Sequence, residues 1–268
     1  MTSYYTIQPP PELRPFVRFF WVFEHEVTPG TTYIYRGMAD ACAEMIFHYK
    51  GVFTDLDDDM GSQSLSILQA PSKQHRRYTT NDSFGIFGAY LYPFAISQLF
   101  GISPSGMSDQ VAVKDIPGGA QGRDLEEQIM TAASTVQRVE ILSSFLEKKL
   151  VAGKLKDQAI HQAIRYMIHS PEQKTVEVLA QQFNLSARQF ERKIKEHAGF
   201  SPKLFSRIIR FQSALKQYGN TQKQLTDIAH QCGYYDQSHF IHDFRKFSGY
   251  HPKQYFLHHP EGIEWREV

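Results

Sequence analysis

The fold of the second half of this chain is indicated most clearly by the segment Val176-Glu-Val-Leu-Ala180-Gln-Gln-Phe-Asn184-Leu-Ser-Ala-Arg-Gln-Phe190-Glu-Arg-Lys-Ile194. A helix-turn-helix needs a small residue where its two helices cross, then a turn, then apolar anchors on its second helix. Ala180 is that small residue, and Asn184 tolerates the left-handed conformation that the turn requires. Phe190 and Ile194 lie one helical turn apart and serve as anchors. The stretch therefore predicts one helix-turn-helix.

The same pattern occurs again from Leu225 to Phe244. Ala229 is the small residue of this second copy, Gly233 provides the turn, and Asp236 is the predicted N-cap of the following helix. The turn is one residue longer than in the first copy. Its apolar anchors are Phe240, Phe244 and Phe247. Two copies in tandem are a much stronger signal than one.

N-terminal helix signals mark the recognition helix of the first copy and a helix between the two copies. Ser186 and Gln189 have the spacing of a capping box. Ser201 is a predicted N-cap, and Pro202 suits the first helical position. A helix from Pro202 to Tyr218 would be about 26 Å long. A rod of that length can hold two recognition helices about 34 Å apart, the distance between successive major grooves.

Length and charge predict two domains. The chain has 268 residues, of which 41% are hydrophobic and 21% are charged, as in globular proteins of this size. Residues 1–153 carry 12 basic and 17 acidic side chains, a net charge of −5, whereas residues 154–268 carry 17 and 11, a net charge of +6. The basic half is expected to face a polyanion. We place the domain boundary between residues 153 and 154.

Short aromatic and β-branched runs, separated by Gly, Pro and Asp, make the first half strand-rich. The fold class is therefore α+β: a β-rich, cupin-like sandwich or barrel with added helices, followed by an all-α domain. A helix at residues 135–150 has a broad apolar stripe that either packs on its own domain or forms a homodimer. The predicted strands are 16–23, 32–35, 43–49, 64–68 and 83–91, and the predicted helices of this half are 94–100, 122–131 and 135–150.

Residues 155–256 resemble the DNA-binding domain of the AraC/XylS family of transcriptional regulators. The segments Arg14–Trp21 and Phe87–Phe94 resemble the sensor domain of one subgroup of that family. The resemblance implies a β-rich domain that binds an effector or dimerises. The matching residues of the second half are Leu179-Ala180, Ser186, Arg188, Phe190, Arg192, Gly199, Ser201-Pro202, Arg210, Ala214, Ile228-Ala229, Gly233-Tyr234, Gln237–Phe240, Phe244–Lys246, Gly249–Pro252 and Tyr255.

The same resemblance, with the outward faces of the two recognition helices, indicates which residues contact DNA. Arginine pairs bidentately with guanine and glutamine with adenine, whereas lysines mainly bind phosphate. The predicted base contacts are Arg188, Arg192, Gln237, Ser238, His239 and His242. The predicted phosphate contacts are Lys193, Lys195, Arg245 and Lys246.

Aromatic residues of the first half are candidates for an effector pocket, although most of them could equally form plain core. They are Trp21, Tyr33, Tyr35, Phe47, Phe87 and Tyr90. The expected partners are double-stranded DNA, a small-molecule effector, a second copy of the chain and, for an activator, RNA polymerase. Two other classes stay open: an architectural DNA binder without an effector, and a small-molecule enzyme fused to a DNA-binding domain.

Metal sites, cofactors, catalytic residues and membrane spans are not expected. His25, His48 and His75 stand apart, and Cys42 is the only cysteine before the helical half. The acidic run at residues 55–59 lacks the glycine and the glutamate of a calcium loop. No apolar run reaches the roughly 20 residues of a membrane-spanning helix. The sequence thus predicts a cytoplasmic protein that is not an enzyme.

Overall fold

The structure is a computed structural model, and it divides the chain into two compact units. The first unit comprises residues 1–33, 42–71 and 78–156, and the second comprises residues 34–41, 72–77 and 157–268. No described helix is both long and apolar enough to cross a lipid bilayer. The predicted boundary between residues 153 and 154 lies outside the described residues, which are 2–57, 64–116, 119–152, 157–170, 174–217 and 224–257.

Two β-sheets make the N-terminal region β-rich, as predicted. A six-stranded sheet has the strand order β1-β2-β8-β4-β6-β9, and a three-stranded sheet has the order β3-β7-β5. The pairs β1–β2, β2–β8, β4–β8, β4–β6, β6–β9 and β5–β7 are antiparallel. The strands are β1 (Thr2–Ile7), β2 (Val17–His25), β3 (Tyr33–Gly37), β4 (Ala43–Lys50), β5 (Thr54–Asp55), β6 (Ser66–Gln69), β7 (Arg76–Thr80), β8 (Phe84–Leu91) and β9 (Gln110–Ala112).

Strand β8 is at the centre of the larger sheet, and all eight of its residues are buried. It has to be apolar on both faces because side chains cover it on both sides. Gly85 makes room for the ring of Tyr49 on one face, and Gly88 makes room for the ring of Trp21 on the other. A methyl group at either glycine would collide with that ring.

Among the described residues, three α-helices complete the first unit: α1 (Ala95–Phe100), α2 (Gly119–Thr131) and α3 (Thr135–Ala152). Helix α3 lies on the Tyr49 face of the sheet, since the guanidinium of Arg138 sits 3.9 Å from the centre of the Tyr49 ring. Its residues Leu142 and Leu146 are completely buried. The apolar stripe of this helix thus packs partly within its own unit, one of the two alternatives that the sequence left open.

Strands β1, β5, β7 and β9 were not predicted from the sequence. Strand β1 carries the polar and aromatic run TSYYTI on the edge of the sheet, and no residue of it is buried. Such a strand gives no apolar alternation because neither face enters a core. The other three have at most five residues each, too few for a periodic signal.

The second unit is helical after residue 157, as predicted. Helix α7 (Pro202–Leu215), which lies between the two helix-turn-helix units and is called the spacer helix below, spans 14 residues, about 21 Å. It is therefore shorter than the helix of about 26 Å that the sequence predicted. The residue Tyr218, where we expected it to end, lies outside the described residues. The helices are α4 (Gln158–His169), α5 (Val176–Gln182), α6 (Ala187–Ala198), α7 (Pro202–Leu215), α8 (Leu225–Gln231), α9 (Gln237–Ser248) and α10 (Pro252–Leu257).

Two segments from the N-terminal half of the sequence, residues 34–41 and 72–77, fold with these helices. The backbone N–H of Ala39 donates to the carbonyl of Phe247 at 2.9 Å. Nη1 of Arg36 donates to the carbonyl of Ser248 at 3.3 Å, and its guanidinium lies 4.1 Å from the centre of the Tyr250 ring. The last carbonyls of α9 are therefore satisfied by a distant part of the sequence.

Candidate nucleic-acid interface

Helices α5 and α6 form the first helix-turn-helix. The turn between them closes through a hydrogen bond of 2.9 Å from the N–H of Leu185 to the carbonyl of Ala180. Asn184 has a φ of 56°, the left-handed conformation predicted for it. Ser186 and Gln189 form the predicted capping box, which fixes the residue at which α6 begins.

The two faces of α6 differ sharply. Phe190 and Ile194 are completely buried, as their spacing predicted. Arg188, Arg192 and Lys195 are exposed on the opposite face. These three side chains line an open groove of about 620 Å³, which the N-terminus of α7 also lines. Cations beside a helix N-terminus form an environment suited to phosphate.

Lys193 is held differently from the other cations of α6. Its ammonium forms an ion pair with the carboxylate of Asp157, and its side chain is only 21% exposed. This hydrogen bond lowers the pKa of Asp157. His197 Nε2 lies 3.4 Å from the same carboxylate, and the rings of His161 and His197 are 5.1 Å apart. A cluster of four polar groups thus joins α4 to the recognition helix.

Burial lowers the pKa of both histidines in this cluster, that of His161 to about 4. Lys193, and His197 whenever its ring is protonated, add to the lowering of the pKa of His161, whereas Asp157 opposes it. Both rings are therefore neutral near pH 7.

Helices α8 and α9 form the second helix-turn-helix with the same turn closure. The N–H of Tyr234 donates to the carbonyl of Ala229 at 3.0 Å, and Gly233 has a φ of 76°. The carboxylate of Asp236 accepts from the N–H of His239 at 2.7 Å, which confirms the predicted N-cap. The predicted anchors Phe240, Phe244 and Phe247 are completely buried.

The predicted base contacts on α9 are exposed to different degrees. Ser238 and His242 are exposed, whereas Gln237 and His239 are half-buried. Oε1 of Gln237 accepts a hydrogen bond of 3.0 Å from the hydroxyl of Thr226 on α8. The amide of Gln237 is therefore oriented by its own helix-turn-helix. The predicted phosphate contacts Arg245 and Lys246 are exposed in the last turn of α9.

Asp243 is a residue that the sequence analysis missed. It is completely buried on α9, and Arg207 on α7 binds both of its oxygens, Nη2 at 2.5 Å and Nε at 3.2 Å. Its carboxylate raises the pKa of the guanidinium. The signal was present, because Asp243 falls on the same stripe as Phe240 and Phe247, and a carboxylate on an apolar stripe needs a partner.

A second arginine of the spacer helix holds the turn itself. Nη1 of Arg210 donates to the carbonyl of Gly233 at 3.2 Å, and its guanidinium lies 5.0 Å from the centre of the Tyr234 ring. Together with Arg207, it fixes the second helix-turn-helix on α7.

The six aromatic residues predicted for an effector pocket do not share one site. Trp21 and Tyr90 lie on one face of the larger sheet, whereas Phe47 and Phe87 lie on the other and are completely buried core. Tyr33 joins the Trp21 face through Phe84, with ring centres 5.1 Å apart. The sixth residue, Tyr35, belongs to the second unit.

His48 adds a polar group to the Trp21 face that the sequence analysis left aside. It pairs with Ile86 in the sheet, and its ring centre is 5.8 Å from that of Phe53. Burial lowers its pKa to about 4. Its Nδ1 is buried and makes no hydrogen bond to any residue in the described part of the chain. A histidine in an apolar strand gives no sequence signal that would distinguish this role.

Two family models match the chain. A helix-turn-helix domain matches residues 179–258, and a domain of unknown function, DUF6597, matches residues 5–112. The first covers the two helix-turn-helix units described above. The second covers most of the β-rich region and carries no functional description.

Two relatives that the chain matches are both named HTH-type transcriptional activator RhaS. The protein from Enterobacter sp. (strain 638) is 27% identical over 136 residues, which cover 50% of this chain and 49% of that protein. The protein from Pectobacterium atrosepticum is 36% identical over 75 residues, covering 28% of this chain and 27% of that protein. The match thus spans about half the length of these relatives, or less.

A solved structure of ToxT from Vibrio cholerae is similar to most of this chain. It has a TM-score of 0.50 and 12% sequence identity, and the match covers 89% of this chain and 97% of that one. At that identity the likeness concerns the fold alone. The tandem helix-turn-helix geometry, its family model and the RhaS relatives together show that the second half of this chain carries a helix-turn-helix domain similar to those of AraC/XylS-type transcriptional regulators.

Proposed function

We propose that this chain is a sequence-specific DNA-binding regulator of transcription whose helices α6 and α9 enter two successive major grooves. The observation that carries the proposal is the repetition of one capped helix-turn-helix on both sides of α7, with turn closures of 2.9 and 3.0 Å. The spacer helix of about 21 Å is of the order of the roughly 34 Å between successive grooves. Residues 154–268 bind DNA, together with the two short segments that fold with them.

The outward residues of the two recognition helices contact the bases, and cations beside them contact the backbone. Arg188 and Arg192 suit guanine, and Gln237 suits adenine. Ser238, His239 and His242 complete the contacts of the second helix. Lys195, Arg245 and Lys246 bind phosphates.

Lys193 requires a partner exchange to bind phosphate. Its ammonium is paired with Asp157, so it would have to give up that carboxylate for a phosphate oxygen. We therefore rank it below Lys195 as a phosphate contact.

Residues 1–153 control the DNA-binding half by sensing an effector or by dimerising. The aromatic face that carries Trp21, Tyr33 and Tyr90 offers His48 as a buried polar group, a combination typical of small-molecule sites. Helix α3 supports a homodimer, because Val136 is 68% exposed and a groove of about 800 Å³ runs between α2 and α3. The RhaS relatives are named activators, which favours contact with RNA polymerase in the cytoplasm.

Selection of binding sites from a random duplex pool by the full chain, at two salt concentrations, tests this function. We expect a motif of two blocks about one helical turn apart. Binding without a motif, and with a steep salt dependence, would mean phosphate contacts alone and an architectural protein.

Arg192→Ala is the matched variant for that selection. We expect it to weaken specific binding by about 1–3 kcal/mol and to relax the motif at one position only. Stability should not change, because the ion pair of Arg192 with Glu196, 3.5 Å apart, is exposed. An unaltered motif in this variant would reject the assignment of Arg192.

A further inference from the structure

The two turns differ by one inserted residue, and the structure identifies which one it is. Leu185 and Tyr234 are equivalent, because each lies five residues after the small alanine and each donates its N–H to that alanine's carbonyl. In the first turn the N-cap Ser186 follows immediately. In the second turn Tyr235 stands between Tyr234 and the N-cap. Tyr235 therefore has no counterpart in the first helix-turn-helix.

The inserted tyrosine is 88% exposed, more than any other large hydrophobic residue described as exposed. Both of its neighbours are fixed: Tyr234 is 3% exposed, and Asp236 caps α9. The backbone on each side is thus anchored, and the phenol ring projects into solvent from the start of the recognition helix. An aromatic residue in that position contributes nothing to the core.

The first half of α9 lacks the cations that α6 presents. Residues 237–242 contain neither Lys nor Arg, whereas α6 carries Arg188 and Arg192 in its first two turns. The guanidinium of Arg210, on the neighbouring helix α7, brings a positive charge to the second turn at the carbonyl of Gly233. Another hydrogen-bond donor is needed if this end of α9 is to hold the DNA backbone.

We propose that Tyr235 is a DNA-binding residue whose hydroxyl donates a hydrogen bond to a phosphate at the edge of the groove that α9 enters. Tyrosine is among the side chains that bind phosphate oxygens and so fix the register of a protein on DNA. A residue just before a recognition helix is placed at the rim of the groove, since the N-terminal residues of the helix itself reach the bases. The inference rests on the proposed function and adds a contact to its second groove.

Because the Tyr235 hydroxyl is a neutral donor, its proposed bond to a phosphate can be told apart from the other kinds of DNA contact by experiment. The salt dependence of DNA binding reports the number of phosphates that cations neutralise, and a phenol neutralises none. Loss of the hydroxyl should therefore weaken binding to every sequence alike while the salt dependence and the motif stay the same. Loss of a base contact would instead alter the motif, and loss of a cation would reduce the salt dependence.

The test compares the full-length chain with Tyr235→Phe and Tyr235→Ala, using fluorescence anisotropy with a duplex of the selected motif and one of scrambled sequence. Tyr5→Phe is the matched control, because Tyr5 is also an exposed tyrosine, 42% exposed, and lies on β1. We expect Tyr235→Phe to weaken binding to both duplexes about fivefold, Tyr235→Ala to weaken it further, and Tyr5→Phe to leave it unchanged. Because Tyr235 is exposed, its variants should unfold at the temperature of the wild type.

Equal affinities of wild type and both Tyr235 variants would overturn the inference and leave the proposed function intact. A changed motif, or a shallower salt dependence, would also overturn it in favour of a different contact. If the wild-type chain bound neither duplex, the proposed function itself would fall, and the inference with it.

Discussion

The two helix-turn-helix units share a plan but differ in how they are fixed and what they present. Both close the turn onto a buried alanine and anchor the recognition helix with buried phenylalanine. The first presents arginines and is joined to α4 through a partly exposed cluster around Asp157. The second presents neutral polar side chains and is joined to α7 through the buried carboxylate of Asp243.

This difference shows which residues hold each recognition helix in place. In the first helix-turn-helix, the outward face of α6 carries the chemistry, and the ion pair that ties α6 to α4 is partly exposed. In the second, two arginines of the spacer and a segment from residues 34–41 hold the helix at both ends. A helix that offers few charges to DNA gains more from being held in one orientation.

Removal of the Asp243 carboxylate should give the largest difference in stability between the two helix-turn-helix units. Asp243→Ala leaves the guanidinium of Arg207 without its carboxylate in a largely buried position, and we expect a loss of about 3 kcal/mol in the free energy of unfolding. Asp157→Ala is the matched variant in the first unit. It should cost about 1 kcal/mol or less, because its pair with Lys193 is partly exposed. Urea denaturation of the full chain measures both.

Equal losses in the free energy of unfolding for the two variants would contradict the idea that the second helix-turn-helix depends on a buried ion pair. Asp243→Ala should also weaken DNA binding through the α9 block of the motif and spare the α6 block. Base preferences recovered by selection would show that difference.

Acid should lower the free energy of unfolding through the two buried histidines beside the first helix-turn-helix, His161 and His197. The unfolded chain protonates His161 near its ordinary pKa of 6.5, whereas the folded chain resists protonation until about pH 4. The stability that depends on this neutral ring is therefore complete above pH 6.5 and is lost as the pH falls towards 4. We expect a loss of roughly 2 kcal/mol, reduced from the full linkage value because solvent partly reaches the group.

The measurement is the unfolding midpoint between pH 7.5 and 4.5 for the wild type, His161→Gln and the exposed control His242→Gln. His161→Gln should flatten the decline, and the control should follow the wild type. Parallel curves for all three would exclude His161 as the source.

The sequence predicted the helical half well because its signals are local. Neighbours along the chain determine helix caps, left-handed turn residues and apolar anchors. Asn184 has the predicted left-handed conformation, and Ser186 caps α6 as predicted. The side-chain ties of both helix-turn-helix units join residues 36 positions apart, and the contact of Arg36 with the end of α9 joins residues more than 200 positions apart. No local pattern encodes such pairs, although an acidic residue on the apolar stripe of α9 was a clue to Asp243.

The aromatic region was predicted less well for a related reason. Phe47 and Trp21 both occur in apolar strands, and the sequence alone does not say which residues of a central strand share a face. The register of β2, β4 and β8 shows that the two residues lie on opposite faces of the sheet. A strand buried on both faces loses the alternation that would have distinguished these faces in the sequence.

The smallest expected changes in stability concern the two turns, in which different residues adopt the same left-handed backbone conformation. Asn184 and Gly233 both have positive φ, 56° and 76°. Glycine adopts this conformation without steric cost, whereas asparagine tolerates it. We expect Asn184→Gly to raise the free energy of unfolding by about 0.5 kcal/mol and Gly233→Ala to lower it by about 1 kcal/mol. Thermal unfolding of both variants measures the two changes. If Asn184→Gly destabilised the chain instead, the asparagine side chain would be making a contact that the turn requires, and the two turns would differ in more than length.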